Sequence, residues 1–372
     1  MNHTNKPNEI GSEFWFDPQN VMRAGEGMSA FLTEKFPEAN HDCFFTLSGR
    51  SACQLLLQHV RPKKKSVLLP EYTCETVIMP FAHAGYDIHF YEVEHDLGIE
   101  IGKWRSQYQN TQPGIVLLHP YFGFDTIACV REKYEELKSD GTIVIEDITH
   151  SLLSRFPNPI WPDYYVASLR KWLGIPDGGV LIDCSKMVPI IPPLEHDAFF
   201  VDTRTEAFTL KNLFMKGGNK VEKENFLSLF AQADRYLKHS FEPKIMSQMS
   251  FRIMENTDWD FIYRQRRVNY HFLETNFKYF HHLLYPVFDS LPELTCPLFM
   301  PVWIKTNRYE LRSHFIRHHI YPPIHWPVSK YITNNGSTHV NDIYHHCLSI
   351  PCDQRYRQED LQQVIDVLEN YQ

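Results

Sequence analysis

Short apolar runs alternate with helical patterns between Leu47 and Cys184, and this alternation constrains the fold of the 372-residue chain more than any other feature. Several runs are apolar throughout, which is typical of strands covered by helices on both faces of a sheet. The predicted strands are SVLLP (66–70), YDIHFYEV (86–93), GIVLLHP (114–120), TIVIED (142–147), YYVAS (164–168) and GGVLID (178–183). Helices are predicted at 51–60, 75–84 and 126–138. The pattern indicates an α/β lobe built on a mainly parallel sheet with helices on both faces.

The rest of the chain has a different pattern. Residues from about 194 to 251 carry helix-favouring polar stretches without a strand pattern. A second lobe is predicted from a strand at 299–305, a helix at 308–319, a strand at 348–353 and an amphipathic helix at 358–370. We therefore predict a large α/β domain over residues 1–240 and a smaller C-terminal α+β domain over residues 241–372.

The composition is that of an ordinary globular protein, with 43% hydrophobic residues, 22% charged residues and a net charge of -8. The only basic cluster, 61–65, is short and typical of a solvated turn, so no nucleic-acid partner is predicted. The first residues lack a signal layout and no apolar run reaches membrane-spanning length, so a cytoplasmic location without a membrane partner is expected.

The eight cysteines include no Cys-x-x-Cys pair, and we expect most of them to be reduced and buried. One local group has metal-ligand chemistry, but its spacing matches no standard site, so no metal is predicted. That group is His345, His346, Cys347 and Cys352.

Candidate functional residues are the polar ones that follow apolar strands, because parallel sheets bind ligands at the carboxyl ends of their strands. Glu146 and Asp147 end the strand TIVIED, and His150 lies three residues further along. A carboxylate at the end of a buried strand is costly unless it meets a positive partner. Asp147 is therefore a candidate ligand-binding residue, and a structural ion pair or a helix cap is the alternative interpretation.

Lys171 is the second candidate, within the stretch SLRKWLGIPDGGVLI that follows the strand YYVAS. Its apolar neighbours Leu169, Trp172, Leu173 and Ile175 predict a dry pocket. A lysine in such a pocket loses its proton more readily and becomes an amine nucleophile that can form a Schiff base with an aldehyde. The alternative is an ordinary surface lysine on a loop.

Two further strand ends complete the pattern. In TLSGRSA a small-residue turn at Ser48 and Gly49 leads into a helix, and a helix N-terminus suits a phosphate group, although any capped helix looks similar. In LLPEYTCETV, Tyr72 and Cys74 follow a strand and could pack against a flat ring, with core packing as the alternative. A phosphate cradle, a carboxylate, a lysine and an aromatic residue together are the groups that pyridoxal 5'-phosphate requires.

The order of these motifs resembles the DegT/DnrJ/EryC1/StrS sugar aminotransferase family of fold-type I pyridoxal-phosphate enzymes, over roughly Phe45 to the C-terminus. The matching segments are SGRSA (48–52), LLPEYTCETVIMPFAHAGYDIHFYEVE (68–94), HPYFG (119–123), VIEDITHS (144–151), SLRKWLGIPDGGVLI (168–182), PVWIKTNRYELRSHFIRHHIYPPIHWP (301–327) and LSIPCDQRYRQEDLQQVIDVLE (348–369). The resemblance implies a fold-type I architecture, a pyridoxal 5'-phosphate cofactor and a homodimer.

The resemblance also implies roles for individual residues. Asp147 resembles the partner of the pyridinium nitrogen, Lys171 the Schiff-base lysine, and His150 falls where the family usually has a glutamine near the phenolic oxygen. The phosphate-binding residues would be Gly49, Arg50, Ser51 and Ser168. Ring stacking would come from Tyr72 or Cys74.

Two departures mark a divergent member. Ser168 lies three residues before Lys171, whereas the family usually places this serine five residues before the lysine. The Asn-Tyr-Arg segment that reaches the neighbouring subunit's site in the family has no convincing counterpart near residues 217–226.

By resemblance, the chain transfers an amino group from an amino acid, expected to be glutamate, to a keto group of a nucleotide-linked sugar, for surface polysaccharide or amino-sugar biosynthesis. One alternative is a different pyridoxal-phosphate reaction of the lyase or dehydratase type. The other is a catalytically silent binding or regulatory protein. Four arginines have the charge to contact a diphosphate or a donor carboxylate, although solvated helix faces are the alternative: Arg264, Arg266, Arg267 and Arg308.

Overall fold

A seven-stranded sheet forms the centre of the larger part of the molecule in the computed structural model, which describes residues 9–15, 27–36, 42–156, 160–332 and 337–371. The strands are β1 (Ile10–Gly11), β2 (Cys43–Thr46), β3 (Ser66–Pro70), β4 (Asp87–Tyr91), β5 (Ile115–Leu118), β6 (Ile143–Asp147), β7 (Tyr164–Ser168), β8 (Gly179–Asp183), β9 (Leu284–Pro286), β10 (Met300–Ile304), β11 (Ile320–Tyr321) and β12 (Cys347–Ile350).

The helices alternate with the strands up to β6 and dominate the chain after β8. They are α1 (Met28–Lys35), α2 (Gly49–His59), α3 (Glu75–His83), α4 (Ile101–Thr111), α5 (Ala128–Arg131), α6 (Tyr134–Ser139), α7 (Ala198–Met215), α8 (Lys220–Lys238), α9 (Gln248–Glu255), α10 (Trp259–Phe277), α11 (Arg308–Arg317), α12 (Thr338–His346) and α13 (Gln358–Glu369). Two short 3-10 turns, Ile148–His150 and Leu169–Lys171, follow β6 and β7.

The large sheet has the strand order β2-β8-β7-β6-β5-β3-β4. Every pairing from β7 through β6, β5 and β3 to β4 is parallel, whereas β8 is antiparallel to both of its neighbours. The predicted α/β class with a mainly parallel sheet is confirmed, and all six predicted strands are present. The carboxyl ends of β5, β6 and β7 consequently lie side by side at one edge.

Helices cover both faces of the sheet, which explains why the strands read as unbroken apolar runs. Val67 and Leu69 of β3 pack in one cluster with Leu56 of α2 and Phe81 of α3. Leu68, between them, belongs to the cluster on the other face, with residues of α4 and α6. Successive residues of a strand point to opposite faces, so each side chain packs into an apolar layer on one face or the other.

The helix predicted over 126–138 is instead two short helices, α5 and α6, interrupted at residues 132 and 133. The side chain of Arg131, at the end of α5, is buried and bonded to Glu146 of the sheet. The sequence pattern did not predict α4 and α10, and it did not predict β2 in full.

The C-terminal part contains a three-stranded antiparallel sheet in the order β12-β10-β9, with α10, α11 and α13 in the same region. Strand β1 pairs in parallel with β11, so the first described residues are attached to the C-terminal part of the chain. The domain boundary after residue 240 remains a prediction.

All eight cysteines are free, and four of them are buried: Cys53, Cys296, Cys347 and Cys352. Among the described helices, none combines the length and the apolar character needed to cross a membrane.

Candidate active site

Asp147 lies at the carboxyl end of β6 and is 6% exposed. Its Oδ1 atom accepts a hydrogen bond from the Thr149 backbone N–H at 2.9 Å, which caps the 3-10 turn Ile148–His150. Its Oδ2 atom lies 3.8 Å from Nδ1 of His119, which directly follows β5. The carboxylate is thus buried with one oxygen fixed by the backbone and the other facing an imidazole.

Lys171 ends the 3-10 turn Leu169–Lys171 at the carboxyl end of the neighbouring strand β7. Leu169 and Trp172 are fully buried, but the lysine itself is exposed in the single chain. The prediction of a dry pocket around Lys171 is therefore wrong for this structure. The turn directs its apolar neighbours into the core while the lysine stays at the open edge of the sheet, and no hydrogen bond joins its amine to another described residue.

Thr149 connects the turn after β6 to the turn after β7. Its Oγ1 accepts a hydrogen bond from the Ser168 N–H at 3.0 Å, and its carbonyl accepts one from Nε1 of Trp172 at 2.8 Å. Together with the bond from its own N–H to Asp147, these contacts fix the spacing between the two strand ends. The candidate carboxylate and the candidate lysine are therefore held in one hydrogen-bonded unit.

Three buried histidines surround this unit: His119, His150 and His325. The ring of His150 lies 4.6 Å from that of His119 and 5.7 Å from that of His325, centroid to centroid. Nδ1 of His150 accepts a hydrogen bond from the Phe122 N–H at 3.4 Å, which places the proton of its neutral ring on Nε2.

Burial keeps all three rings uncharged. It lowers the pKa of His119, where the nearby Asp147 carboxylate only partly opposes the effect. Burial and then the neighbouring His119, His325 and Lys171 place the pKa of His150 well below its usual value. Burial, followed by Lys171 and His119, lowers the pKa of His325 to about 3. The site therefore presents neutral imidazoles beside one carboxylate at neutral pH.

The predicted phosphate-binding residues are only partly brought together. Gly49, the first residue of α2, approaches β7 so closely that an added Cβ would lie 3.1 Å from the Ser168 nitrogen. The helix N-terminus and Ser168 are thus adjacent. The Ser51 hydroxyl, in contrast, is bonded to the backbone of Lys244, and the Arg50 guanidinium donates to the carbonyl of Leu237.

Tyr72 and Cys74 occupy different environments. Tyr72 is completely buried, with its ring 5.1 to 5.3 Å from the rings of Tyr121, Trp326 and Tyr344 and its hydroxyl bonded to the carbonyl of His325. In this structure it has no exposed ring face to offer a ligand. Cys74 is half-buried at the start of α3.

The four candidate arginines have structural contacts in the single chain. Arg266 donates to the carbonyls of Pro297 and Leu298, and Arg308 donates to those of Tyr344 and Cys347. Both are buried, so neither a solvated helix face nor an open diphosphate site describes them. Arg267 bonds to loop carbonyls, and Arg264 is exposed beside Asp260.

Sequence reasoning gave no role to His119, Thr149 or Trp326. His119 follows a buried strand, which is the same signal that singled out Asp147, so it could have been found. The ring of Trp326 stacks on that of His150 at 5.3 Å between centroids, but no strand end marks it in the sequence.

Two observations test whether the site fits pyridoxal 5'-phosphate. Both ring nitrogens of His119 are buried without a hydrogen-bond partner among the described residues, although a polar partner is normally found for such atoms. The N-terminus of α2 lies beside Ser168, as a phosphate requires. A polar aromatic ring near Asp147 and His119, with its phosphate at α2, fits these residues.

No family model and no curated protein sequence matches the chain. Solved structures do match along almost its whole length. The aminotransferase PseC of Helicobacter pylori, involved in the biosynthesis of pseudoaminic acid, aligns with a TM-score of 0.66 at 14% identity over 97% of this chain and 98% of that one. The chain has the fold of an aminotransferase.

Two further structures agree. DesI, determined in the presence of its TDP-sugar product, aligns with a TM-score of 0.67 at 14% identity over 98% of this chain and 92% of that one. A DegT DnrJ EryC1 StrS aminotransferase from Brucella abortus aligns with a TM-score of 0.61 at 14% identity over 96% and 91%. The prediction of a fold-type I architecture is confirmed by this aminotransferase fold.

Proposed function

We propose that the chain is a pyridoxal-phosphate-dependent aminotransferase that transfers an amino group from an amino acid to a keto group of a nucleotide-linked sugar. The observation that carries the proposal is the placement of Asp147 and Lys171 at the carboxyl ends of the adjacent parallel strands β6 and β7. This edge is where parallel sheets bind their ligands. The aminotransferase fold of the solved structures supports the same reaction class.

Pyridoxal 5'-phosphate supplies an aldehyde and an electron-withdrawing ring when it is bound. Asp147 would accept a hydrogen bond from the ring nitrogen and keep that nitrogen protonated, because its Oδ2 atom is not hydrogen-bonded to any described group. The N-terminus of α2 and Ser168 would hold the phosphate. Neutral His119 and His150 would line the ring edge without adding a competing positive charge.

Lys171 would act through its amine. In the single chain this amine is exposed and forms no hydrogen bond with a described residue, so its nitrogen is accessible, and after loss of its proton it would serve as the nucleophile toward the cofactor aldehyde and as a general base. The Thr149 bridge would keep it at a fixed distance from Asp147. The chain therefore provides a nucleophile, a base and a ring anchor in one unit.

The proposed substrates are supported by the proteins that share the fold. DesI was determined with a TDP-sugar product, and PseC takes part in pseudoaminic acid biosynthesis. We accordingly propose a nucleotide-linked keto-sugar as the amino acceptor, glutamate as the donor, and a role in surface polysaccharide or amino-sugar biosynthesis.

A homodimer in the cytoplasm is part of the same proposal. Lys171 is open to solvent in the single chain, and large apolar side chains are exposed after β8, among them Ile191 at 72% and Leu194 at 94%. A second copy would cover such a surface. Eight free cysteines suit a reducing compartment. Light scattering should give a mass of twice the 44.0 kDa of one chain.

The decisive experiment compares wild type, Lys171→Ala and the control Lys220→Ala after incubation with pyridoxal 5'-phosphate. Lys220 is a highly exposed lysine on α8. We expect a visible absorbance band that survives removal of free cofactor in wild type and Lys220→Ala and is absent in Lys171→Ala. Glutamate together with a panel of nucleotide keto-sugars should then give an amino-sugar product only with the two proteins that retain the band.

Each alternative gives a different result. Protein that stays colourless with added cofactor would support a silent binding or regulatory protein. A protein with the band that releases water or ammonia from its substrate without aminating it would support a lyase or dehydratase. A band of full strength in Lys171→Ala would overturn the assignment of the lysine.

A further inference from the structure

Arg170, the residue before Lys171, and Arg204 form a cluster of guanidiniums over the ring of Phe200, at 5.5 and 5.8 Å from its centroid, and the carboxylate of Glu13 faces this cluster. Nη2 of Arg204, on α7, is 3.0 Å from Oε2 of Glu13. Partial burial opposes ionisation of this carboxyl, but Arg204, Lys171 and Arg170 lower its pKa to about 2. Glu13 is therefore an anion whose charge is favoured by three nearby cations, and Arg204 is the one that donates a hydrogen bond to it.

The two guanidiniums of the cluster have few hydrogen-bond partners among the described residues. Arg204 is 2% exposed, its only hydrogen bond to a described residue is the one to Glu13, and its Nε atom is buried without a partner. Arg170 has a buried, unpartnered Nε atom and no hydrogen bond to a described residue. A guanidinium has five donors, and leaving them unpaired inside a protein is costly.

Aromatic packing fixes the position of Arg204. The Cζ atom of its guanidinium lies 5.1 Å from the ring centroid of Phe208 and 5.2 Å from that of Phe230. The second acidic group near it, Asp234, is 3.8 Å away and has a 60% exposed side chain. Aromatic contacts, rather than a buried ion pair, therefore hold the donors of Arg204 in place. This arrangement is expected of a site that binds the anionic group of a ligand.

Glu13 belongs to a short segment that crosses the site. Lys211 and Arg355 both donate to its backbone carbonyl, and Lys211 is also 2.9 Å from the buried carboxylate of Glu9. The segment also touches the turn that carries the lysine, because an added Cβ at Gly174 would lie 2.7 Å from the Trp15 carbonyl oxygen. The anchors hold the backbone, while the side chain of Glu13 is 49% exposed and can leave Arg204 without moving them.

We propose that Arg204 and Arg170 form the binding site for a substrate carboxylate next to Lys171, and that the Glu13 carboxylate fills this site until the substrate displaces it. We expect a carboxylate rather than another anion as the ligand, because the Glu13 carboxylate occupies the site in this structure. The assignment of that group to the amino donor rests on the proposed function. Glu13 would keep the cations paired between turnovers and compete weakly with the donor.

Titration calorimetry with glutarate, a dicarboxylate without an amino group, tests the proposal on purified protein with and without added cofactor. Glu13→Gln should bind glutarate about fivefold more tightly than wild type, because a half-exposed ion pair no longer competes. Arg204→Gln should bind it about tenfold more weakly or worse, because a charge-assisted bond is lost. Glu206→Gln and Arg252→Gln remove the same charges at exposed positions and should leave the affinity unchanged.

Opposite shifts in the Glu13 and Arg204 variants are the signature of an internal competitor. If Arg204→Gln fails to fold, Arg170→Gln should give the same weakening. Unchanged glutarate affinity in Glu13→Gln, no glutarate binding by any variant, or inorganic phosphate binding more tightly than glutarate to the cofactor-loaded protein would each overturn the proposal. The cofactor absorbance band is scored separately, so loss of the proposed function and loss of this site are distinguishable.

Discussion

Glu146 and Asp147 are consecutive residues of one buried strand, but their surroundings are opposite in character. Glu146 accepts hydrogen bonds from Nη2 of Arg131 at 2.7 Å, from Nε of Arg131 at 3.3 Å and from the Tyr134 hydroxyl at 2.8 Å. Asp147 accepts one backbone bond, and among the described residues its second oxygen has only an imidazole near it, at 3.8 Å. Successive strand residues point to opposite faces, so the two carboxylates lie on different sides of the sheet.

The difference separates a structural carboxylate from one that is ready for a ligand. A buried charge is tolerated when its lone pairs are satisfied, and Glu146 meets that condition within the protein. Asp147 does not, and the unpartnered ring nitrogens of His119 lie on its side. A ligand bound on this side of the sheet would supply the missing hydrogen-bond partners of Asp147 and His119. Stability and activity should therefore respond separately to changes on the two faces.

The largest effect is expected from Asp147→Asn. The substitution keeps the shape and the bond from the Thr149 N–H but removes the charge that would hold a ring nitrogen protonated. We expect amination to fall by about 10³-fold or more, with the free energy of unfolding nearly unchanged. Steady-state kinetics and denaturant unfolding of the same preparation measure both quantities. An active Asp147→Asn variant would remove the functional distinction between the two carboxylates.

The reverse pattern is expected from Arg131→Gln, which leaves Glu146 buried without its cation. We expect the free energy of unfolding to fall by about 3 kcal/mol or more, while the folded fraction keeps its rate of amination. Arg105→Gln is the matched control, because Arg105 forms an exposed pair with Glu136 at 3.7 Å that is worth less than about 1 kcal/mol. Equal losses in the two variants would contradict a structural role for the Glu146 network.

The strand ends that carry Asp147 and Lys171 could be predicted because fully apolar runs mark buried parallel strands without tertiary information. The exposure of Lys171 could not, since it depends on which residues of a three-residue turn face the core. The burial of Tyr72 depends on Trp326 and Tyr344, more than 250 residues along the chain. The contact between Glu13 and Arg204 likewise joins positions 191 residues apart. The local sequence pattern thus predicted which edge of the sheet carries the candidate residues. Which side chains cover that edge depends on segments that are distant in the sequence.

Thr149 is a positioning residue next to Asp147, and replacing it should lower the activity by an intermediate amount. Thr149→Val removes the acceptor for the Ser168 N–H, and Thr149→Ser keeps it. We expect kcat to fall by about tenfold to a hundredfold in the valine variant, with the KM for the sugar unchanged because Thr149 would touch neither substrate. The serine variant should stay close to wild type. A valine variant with normal kcat would show that the bridge between the two turns is dispensable.

The smallest expected effect is on the pH dependence of stability, to which the uncharged histidines near Asp147 contribute. Burial lowers the pKa of His325 to about 3, whereas a histidine in the unfolded chain titrates near 6.5. Between these values the unfolded state binds a proton that the folded state does not, so stability is lost as the pH falls below about 6.5. Each such histidine contributes about 1.4 kcal/mol per pH unit to this slope.

Denaturant unfolding of wild type, His325→Gln and His271→Gln between pH 6 and pH 4 isolates that contribution. His271 has a 52% exposed side chain on α10 and serves as the control. The slope of unfolding free energy against pH should be shallower in His325→Gln by about 1.4 kcal/mol per pH unit and unchanged in His271→Gln. The slope is compared rather than the absolute stability, because replacing a buried ring also changes packing. Equal slopes in all three proteins would mean that His325 becomes protonated in the folded state, and the Asp147 side would then carry a positive charge that the proposed ring site does not accommodate.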